Sequence, residues 1–307
     1  GTGPGGRVIE RDVQAAAEGH PSYSPAALEA KARGLTAPAV GSGIGGRILS
    51  SDMGVAQAVQ TGAQTVRGGG EALTFPGAIT EIPVKSVRKI TAERMFASLS
   101  TTAQLTLNTS ADATAIMEYR KKCKGSPDEM GLKDVTINDL VLFAVSRVLP
   151  SFKELNAHFL KEKIVQFEHV HLGFAVDTPR GLMVPVIRFA DTLSLKEISA
   201  EAKRLGKACA EGKINPDEMT GGTFTVTNLG VLGIESFTPV VNIPQAAILG
   251  VNAVSLKPVM RDDEVVFVQH IGFSLTIDHQ AVDGAPGARF LKALCQAVAQ
   301  FDLTLAV

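Results

Sequence analysis

The segment Ile277-Asp278-His279-Gln280-Ala281-Val282-Asp283-Gly284 holds the residue types best suited to chemistry in this chain. An apolar stretch, Ile271 to Leu275, precedes it, and a helix-like run, Gly287 to Gln300, follows. A histidine therefore stands where a strand stops, with an aspartate four residues later where a helix starts. An imidazole at a strand end can be aimed into a cleft and act as a general base near neutral pH. The plainer readings are a strand-end histidine bonded to its own backbone, and an Asp283 that caps the next helix ahead of Gly284-Ala285-Pro286.

The remaining histidines and the cysteines offer less. His169 and His171 alternate on one expected strand face, but no third ligand accompanies them, so no metal site is expected. His20, His158 and His270 have no functional context. Cys123, Cys209 and Cys295 lack metal-ligand spacing and point to free thiols in a reducing compartment. Cys209 and Cys295 read as small buried hydrophobes.

The elements that would position His279 follow from pattern. Helices are expected over Ser86 to Ser98, Ala113 to Lys122, Leu195 to Glu211, and from a cap at Asn138 to Leu149. Strands are expected over Gln104 to Asn108, Val170 to Val176, Met183 to Ile187, Thr223 to Thr227, Ala246 to Val251, Glu264 to Val268 and Ile271 to Ile277. Their irregular alternation implies an α/β domain built on a mixed sheet. Hydrophobic residues make up 45% of the 307, enough for a large core. A net charge of -1 argues against nucleic-acid binding. No apolar run reaches the roughly 18 residues of a membrane helix.

Ahead of this domain the chain repeats itself. Gly1-Thr2-Gly3-Pro4-Gly5-Gly6-Arg7-Val8-Ile9 returns as Gly41-Ser42-Gly43-Ile44-Gly45-Gly46-Arg47-Ile48-Leu49, and Asp12 returns as Asp52. Both aspartates read as helix N-caps. Ser24-Pro25 starts a helix, so Ser24 to Met53 is expected to be a two-helix mini-domain, too small to bury much and suited to binding. No Lys-Ser/Thr follows the glycines, which argues against a P-loop. The opening residues read as the middle of a domain, so upstream sequence is expected. The resulting partition is 1–19, a partial module; 20–57, a full module; 58–79, a flexible linker; and 80–307, the large domain.

Several blocks occur together in the large domain: Ala175-Val176-Asp177-Thr178-Pro179-Arg180-Gly181-Leu182, Gly221-Gly222-Thr223-Phe224-Thr225-Val226-Thr227-Asn228-Leu229-Gly230, Phe237-Thr238-Pro239, Asn242-Ile243-Pro244-Gln245, Ala247-Ile248-Leu249-Gly250-Val251 and the His279 segment. In this order, over Pro83 to Val307, they resemble the catalytic domain of dihydrolipoyl acyltransferases, the core component of 2-oxo acid dehydrogenase complexes. The His-x-x-x-Asp-Gly motif alone is shared with chloramphenicol acetyltransferases and condensation domains. The repeat is similar to the peripheral subunit-binding domain of the same proteins.

The resemblance implies a chloramphenicol-acetyltransferase-like fold and acyl transfer, most readily acetyl, between a dihydrolipoyl thiol and coenzyme A. His279 would be the base, Thr227 the hydroxyl donor to the oxyanion, and Asp283 the residue orienting the His279 loop. Asp177 and Arg120 fall at positions near the active-site channel. Arg120-Lys121-Lys122-Lys124 could attract coenzyme A phosphates, though cations also suit a helix C-terminus. The lipoyl group would be carried covalently on a lipoyl domain outside this chain, with coenzyme A as substrate. The expected assembly is a homotrimer, with His279 facing Thr227 of a neighbour, built into a large cage through the apolar C-terminal tail. The N-terminal modules would dock dihydrolipoyl dehydrogenase or 2-oxo acid decarboxylase subunits through Arg7, Arg11, Lys31, Arg33 and Arg47. Family members usually carry Arg after the histidine; Gln280 departs from this. A scaffold of weak catalytic power is the competing expectation.

Overall fold

The computed structural model describes residues 1–10, 12–13, 22–54, 65–66, 73–74 and 79–306, in two units, Gly1–Ile82 and Pro83–Val307. In the first unit the two copies of the repeat close their glycine-rich loops in the same way. Asp12 accepts from Thr2 N, Thr2 Oγ1 and Ile9 N at 2.8, 2.6 and 2.9 Å. Asp52 accepts from Ser42 N, Ser42 Oγ and Leu49 N at 3.0, 2.6 and 2.7 Å. The aspartates therefore lock the loop behind them. The glycines are required at matching positions: Gly6 and Gly46 have φ of 81° and 77°, and a Cβ on Gly1 or Gly41 would lie 1.9 or 2.1 Å from the carbonyl oxygen of Arg7 or Arg47.

Helix α1, Pro25–Ala32, starts as expected, with Ser24 Oγ accepting from Ala27 N. Ala27 and Ile48 form its small buried centre. Within Ser24 to Met53 this α-helix is followed by 3₁₀ turns at Ile44–Gly46 and Ser50–Asp52; the stretch after Gly54, toward which the second expected helix runs, lies outside the described residues. Most of the expected linker, and Arg11 and His20, lie outside the described residues.

Three donors hold the Asp52 carboxylate below its ordinary pKa, led by the Ser42 hydroxyl. Those of Thr2 and Ile9 hold Asp12 down to about 2. A carboxylate depressed in the folded state supports folding above its unfolded pKa and loses that support as pH falls through the folded one. The Ser42 and Leu49 amides are therefore expected to keep their hydrogen-exchange protection at neutral pH and to lose it as the solution is acidified below pH 4. Asp52→Asn should remove the pH dependence; protection that ignores both acid and the substitution would refute this role.

The second unit begins with α2, Ser86–Thr101, and β1, Gln104–Asp112, then α3, Thr114–Lys124, and α4, Ile137–Val148. A small hairpin follows, β2, Ala157–Phe159, and β3, Ile164–Gln166, then β4, Leu172–Phe174, and β5, Val186–Ile187. After α5, Leu195–Glu211, come β6, Phe224–Asn228, β7, Ala247–Arg261, β8, Glu264–Asp278, α6, Gly284–Ala299, and α7, Phe301–Thr304. The main sheet has order β1-β8-β7-β6-β4-β5. The β7/β6 and β6/β4 pairs are parallel and the others antiparallel, the expected mixed sheet.

Local rules account for most boundaries. Helix α5 has a Ser194–Glu197 capping box and ends on Gly212 at φ 67°. Its stripe Leu195, Ile198, Ala202, Leu205 and Cys209 is buried, at the spacing of one helix face. Helix α4 is capped by Thr136, which accepts from Asp139 N, and Asn138 sits inside the first turn. Two expected strands, Glu264 to Val268 and Ile271 to Ile277, are one strand, and β7 runs on to Arg261. The cause is an Asp262-Asp263 turn with both φ positive, which matches the twist of a hairpin. Cys123 and Cys209 are buried and Cys295 is partly so, and burial raises all three thiols.

The sheet has two unlike faces. Leu107, Leu275 and Ile277 lie on the apolar one, where Gly287 lets α6 approach closely. On the other, Thr106 bonds Thr276 at 2.8 Å, Ser274 donates to Asn108 at 2.6 Å, and Thr225 donates to Gln245 at 2.6 Å. The 237–245 segment covers this polar face: the Phe237 ring lies over Gly250, and Ser98 of α2 donates to Val241 O at 2.6 Å.

Candidate active site

His279 stands just past the end of β8, where its backbone N–H donates to Ala103 O at 2.8 Å. Its side chain is 44% exposed, with Nδ1 3.8 Å from Asp283 Oδ1, too long for a hydrogen bond. Asp283 is the residue before α6, but its side chain makes no capping bond, so the cap that its position suggested is absent. Its carboxylate is free to face His279.

Thr227 lies near the C-terminal end of β6, half-buried. Asn228 next to it donates to Asn138 Oδ1 at 3.0 Å and accepts from Gly230 N at 2.8 Å. These bonds tie the strand end to the first turn of α4. The sequence pattern marked neither asparagine for this role, because they lie ninety residues apart.

The register separates the two candidates. Thr227 lies opposite Gly250, Gly250 lies opposite Ser274, and His279 is five residues beyond Ser274. At about 4.8 Å per strand and about 3.4 Å per residue, they are roughly 20 Å apart in one copy of the chain. Their strand ends point in opposite directions, because β8 runs antiparallel to β7 while β6 runs parallel to it.

Asp177 belongs with Thr227. Ala175 N donates to Val226 O, and Val176 bridges Met183, which puts exposed Asp177 about 8 Å from Thr227 by strand geometry. Arg120 is bonded to neither candidate. It is half-buried on α3, beside Tyr119, whose ring meets Phe301 at 5.3 Å. Its Nη1 is buried without a hydrogen-bond partner among the described residues. Lys121, Lys122 and Lys124 fall in the last turn of α3, where they complement the helix dipole.

His169 and His171 each have a partner of their own. His169 Nδ1 pairs with Asp191 at 2.8 Å, which raises its pKa. His171 Nδ1 accepts from Phe189 N at 3.1 Å, and burial lowers its pKa. Both precede β4, not along it. Among the described residues, no cluster of three or more His, Cys, Asp or Glu could hold a metal, and no helix is long and apolar enough to cross a membrane.

A cavity of about 440 Å³ opens beside the His279 turn, lined by Thr101, Phe159, Leu160, Lys161, Pro244 and Asp278 among others. A larger one of about 750 Å³ lies against α5. It is laced by the Arg204–Glu201 and Arg204–Glu218 pairs and touches none of the candidates.

Residues 76–306 match the model of the 2-oxoacid dehydrogenases acyltransferase catalytic domain. The chain belongs to this family. It is 39% identical, over 83% of its length, to the dihydrolipoyllysine-residue acetyltransferase component of the acetoin cleaving system of Bacillus subtilis, covering 62% of that relative. It is 38% identical, over 69% of its length, to the corresponding pyruvate dehydrogenase component of Staphylococcus aureus, covering 49% of it. The chain thus spans about half to three fifths of these acyltransferases. Among solved structures it is similar to the Azotobacter vinelandii dihydrolipoamide acetyltransferase, with a TM-score of 0.72, 34% identity, and coverage of 75% of this chain and 95% of that one. That structure was studied for the catalytic roles of a serine, a histidine and an asparagine four positions after the histidine. The cubic core of the pyruvate dehydrogenase complex matches with a TM-score of 0.71 at 35% identity, over 75% of this chain and 95% of that one.

Proposed function

We propose that this chain transfers an acyl group, acetyl by preference, between a dihydrolipoyl thiol and coenzyme A. Each active site would be formed by His279 of one copy and Thr227 of the next. The observation that carries the reading is the placement of an exposed histidine and a hydroxyl-bearing strand end on oppositely directed strands of one sheet, roughly 20 Å apart. Neither completes a site alone, but a ring of copies brings the two ends together. His279 with Asp283 four residues on has the spacing of the histidine and asparagine studied in the A. vinelandii enzyme, and Thr227 supplies the hydroxyl of its serine.

In this arrangement Nδ1 lies on the Asp283 side, which leaves Nε2 for the thiol. Nε2 takes the proton from the coenzyme A sulfur, and the thiolate attacks the thioester carbonyl. The Thr227 hydroxyl donates to the oxyanion that forms. Collapse expels the second thiol as thiolate, which recovers the proton from the imidazolium. A lipoyl group on a separate domain would supply that second thiol. Exposed His279, rather than a sealed cavity, suits an arm that enters from outside.

The first unit, with Arg7, Lys31 and Arg33 exposed and Arg47 half-buried, would dock dehydrogenase or decarboxylase subunits bearing acidic patches. Cage assembly would use the C-terminus. Phe301 is fully buried in its own copy, while Leu303 is 63% exposed and available to a neighbour. The test of the activity is acetyl transfer from acetyl-coenzyme A to free dihydrolipoamide, which replaces the carrier domain. Failure of the assembled protein to transfer acetyl, succinyl or isobutyryl groups would overturn the reading in favour of a scaffold.

A further inference from the structure

The residues flanking His279 form a clamp. Asp278 is 1% exposed and has no ion-pair partner among the described residues. A buried carboxylate without a counter-charge must be satisfied by hydrogen bonds. Oδ1 accepts from Ala103 N, Gln280 N and Gln280 Nε2, each at 3.1 Å. The Gln280 amide also donates to Thr101 O at 2.8 Å, on the last residue of α2. Both hydrogens of that amide are thereby used. The end of α2, the start of β1 and the end of β8 are joined around His279, whose own N–H is bonded to Ala103 O. Apart from the long approach of Asp283, the imidazole has no polar partner among the described residues, so its direction depends on this backbone frame.

We propose that Gln280 is a positioning residue for His279. Its neutral carboxamide satisfies buried Asp278 and pins the His279 turn to α2, which sets the direction in which the imidazole faces the neighbouring copy. The inference rests on His279 as the base. It assigns to Gln280 a task that a basic side chain could also perform, since the task needs two N–H donors and not a charge.

The test compares Gln280→Met and Gln280→Ala, which lack donors, with Gln280→Arg, which restores them. Gln280 is exposed, so all three should fold, and sedimentation would verify wild-type assembly. The donor-less variants are expected to lose roughly 10- to 100-fold in kcat, the scale of a misplaced catalytic group, with KM for both thiols nearly unchanged. Gln280→Arg should recover most of the loss. In a His279→Ala background, Gln280→Met should lower the residual rate no further, because the clamp acts only through the imidazole. Wild-type kcat in both donor-less variants would overturn the proposal, as would an equal loss with and without His279. Wild-type rates from His279→Ala alone would remove the base assignment and this proposal with it.

Discussion

Replacement of His279 by alanine is expected to lower kcat for acetyl transfer to free dihydrolipoamide by about 10²–10⁴ at neutral pH. The reason is the nucleophile. A thiol of pKa about 8.5 is only a few per cent thiolate near pH 7, and the imidazole supplies the rest by taking the proton as attack begins. The variant should therefore be rescued by alkali. Its rate should climb about tenfold per pH unit until the thiol itself ionises, while the wild-type rate changes much less. Asp283→Asn should behave differently. The carboxylate is 85% exposed and 3.8 Å from Nδ1, and an exposed pair at that distance contributes no more than about fivefold. A His279→Ala rate within fivefold of wild type, or one indifferent to alkali, would sink the general-base assignment.

The second large effect is a gain. His279→Ala and Thr227→Ala should each be nearly inactive, the threonine variant by about 10²–10³ in kcat through loss of one oxyanion donor. Mixed by unfolding and refolding in equal amounts, the two should regain activity. A site is intact when a chain that keeps His279 faces a chain that keeps Thr227, which random mixing in a closed ring produces in about one quarter of sites. The regain requires that the two residues come from different copies, as a separation of roughly 20 Å within one copy demands. Co-refolded variants that stay at the level of either parent would show that His279 and Thr227 do not share a site across copies.

Much of this was legible in the linear chain because it depends on neighbours in sequence. The capping residue and buried stripe of α5 lie within one helix, and Leu195 to Glu211 is its observed span. The repeat could be read because its glycines and aspartates recur at fixed spacing, and the two closed loops share each hydrogen bond. His279 stood out as a strand-end histidine from the pattern on either side of it. Where the chain misled, an interaction of comparable local plausibility won: Thr136 over Asn138 as the cap of α4.

What only the tertiary structure decided is how residues far apart in the chain meet. Gln280 was only a departure from the usual Arg until the fold placed Thr101 and buried Asp278 within reach of its amide. Thr227 and His279 each stood near a strand end in the pattern, but only the strand register fixed their separation at roughly 20 Å within one copy. Sequence by itself determined which side chains can do the chemistry, since that follows from residue type and local pattern. The direction and order of the strands decided where each one points, because a hydrogen-bonded ladder fixes position only once its partners are chosen.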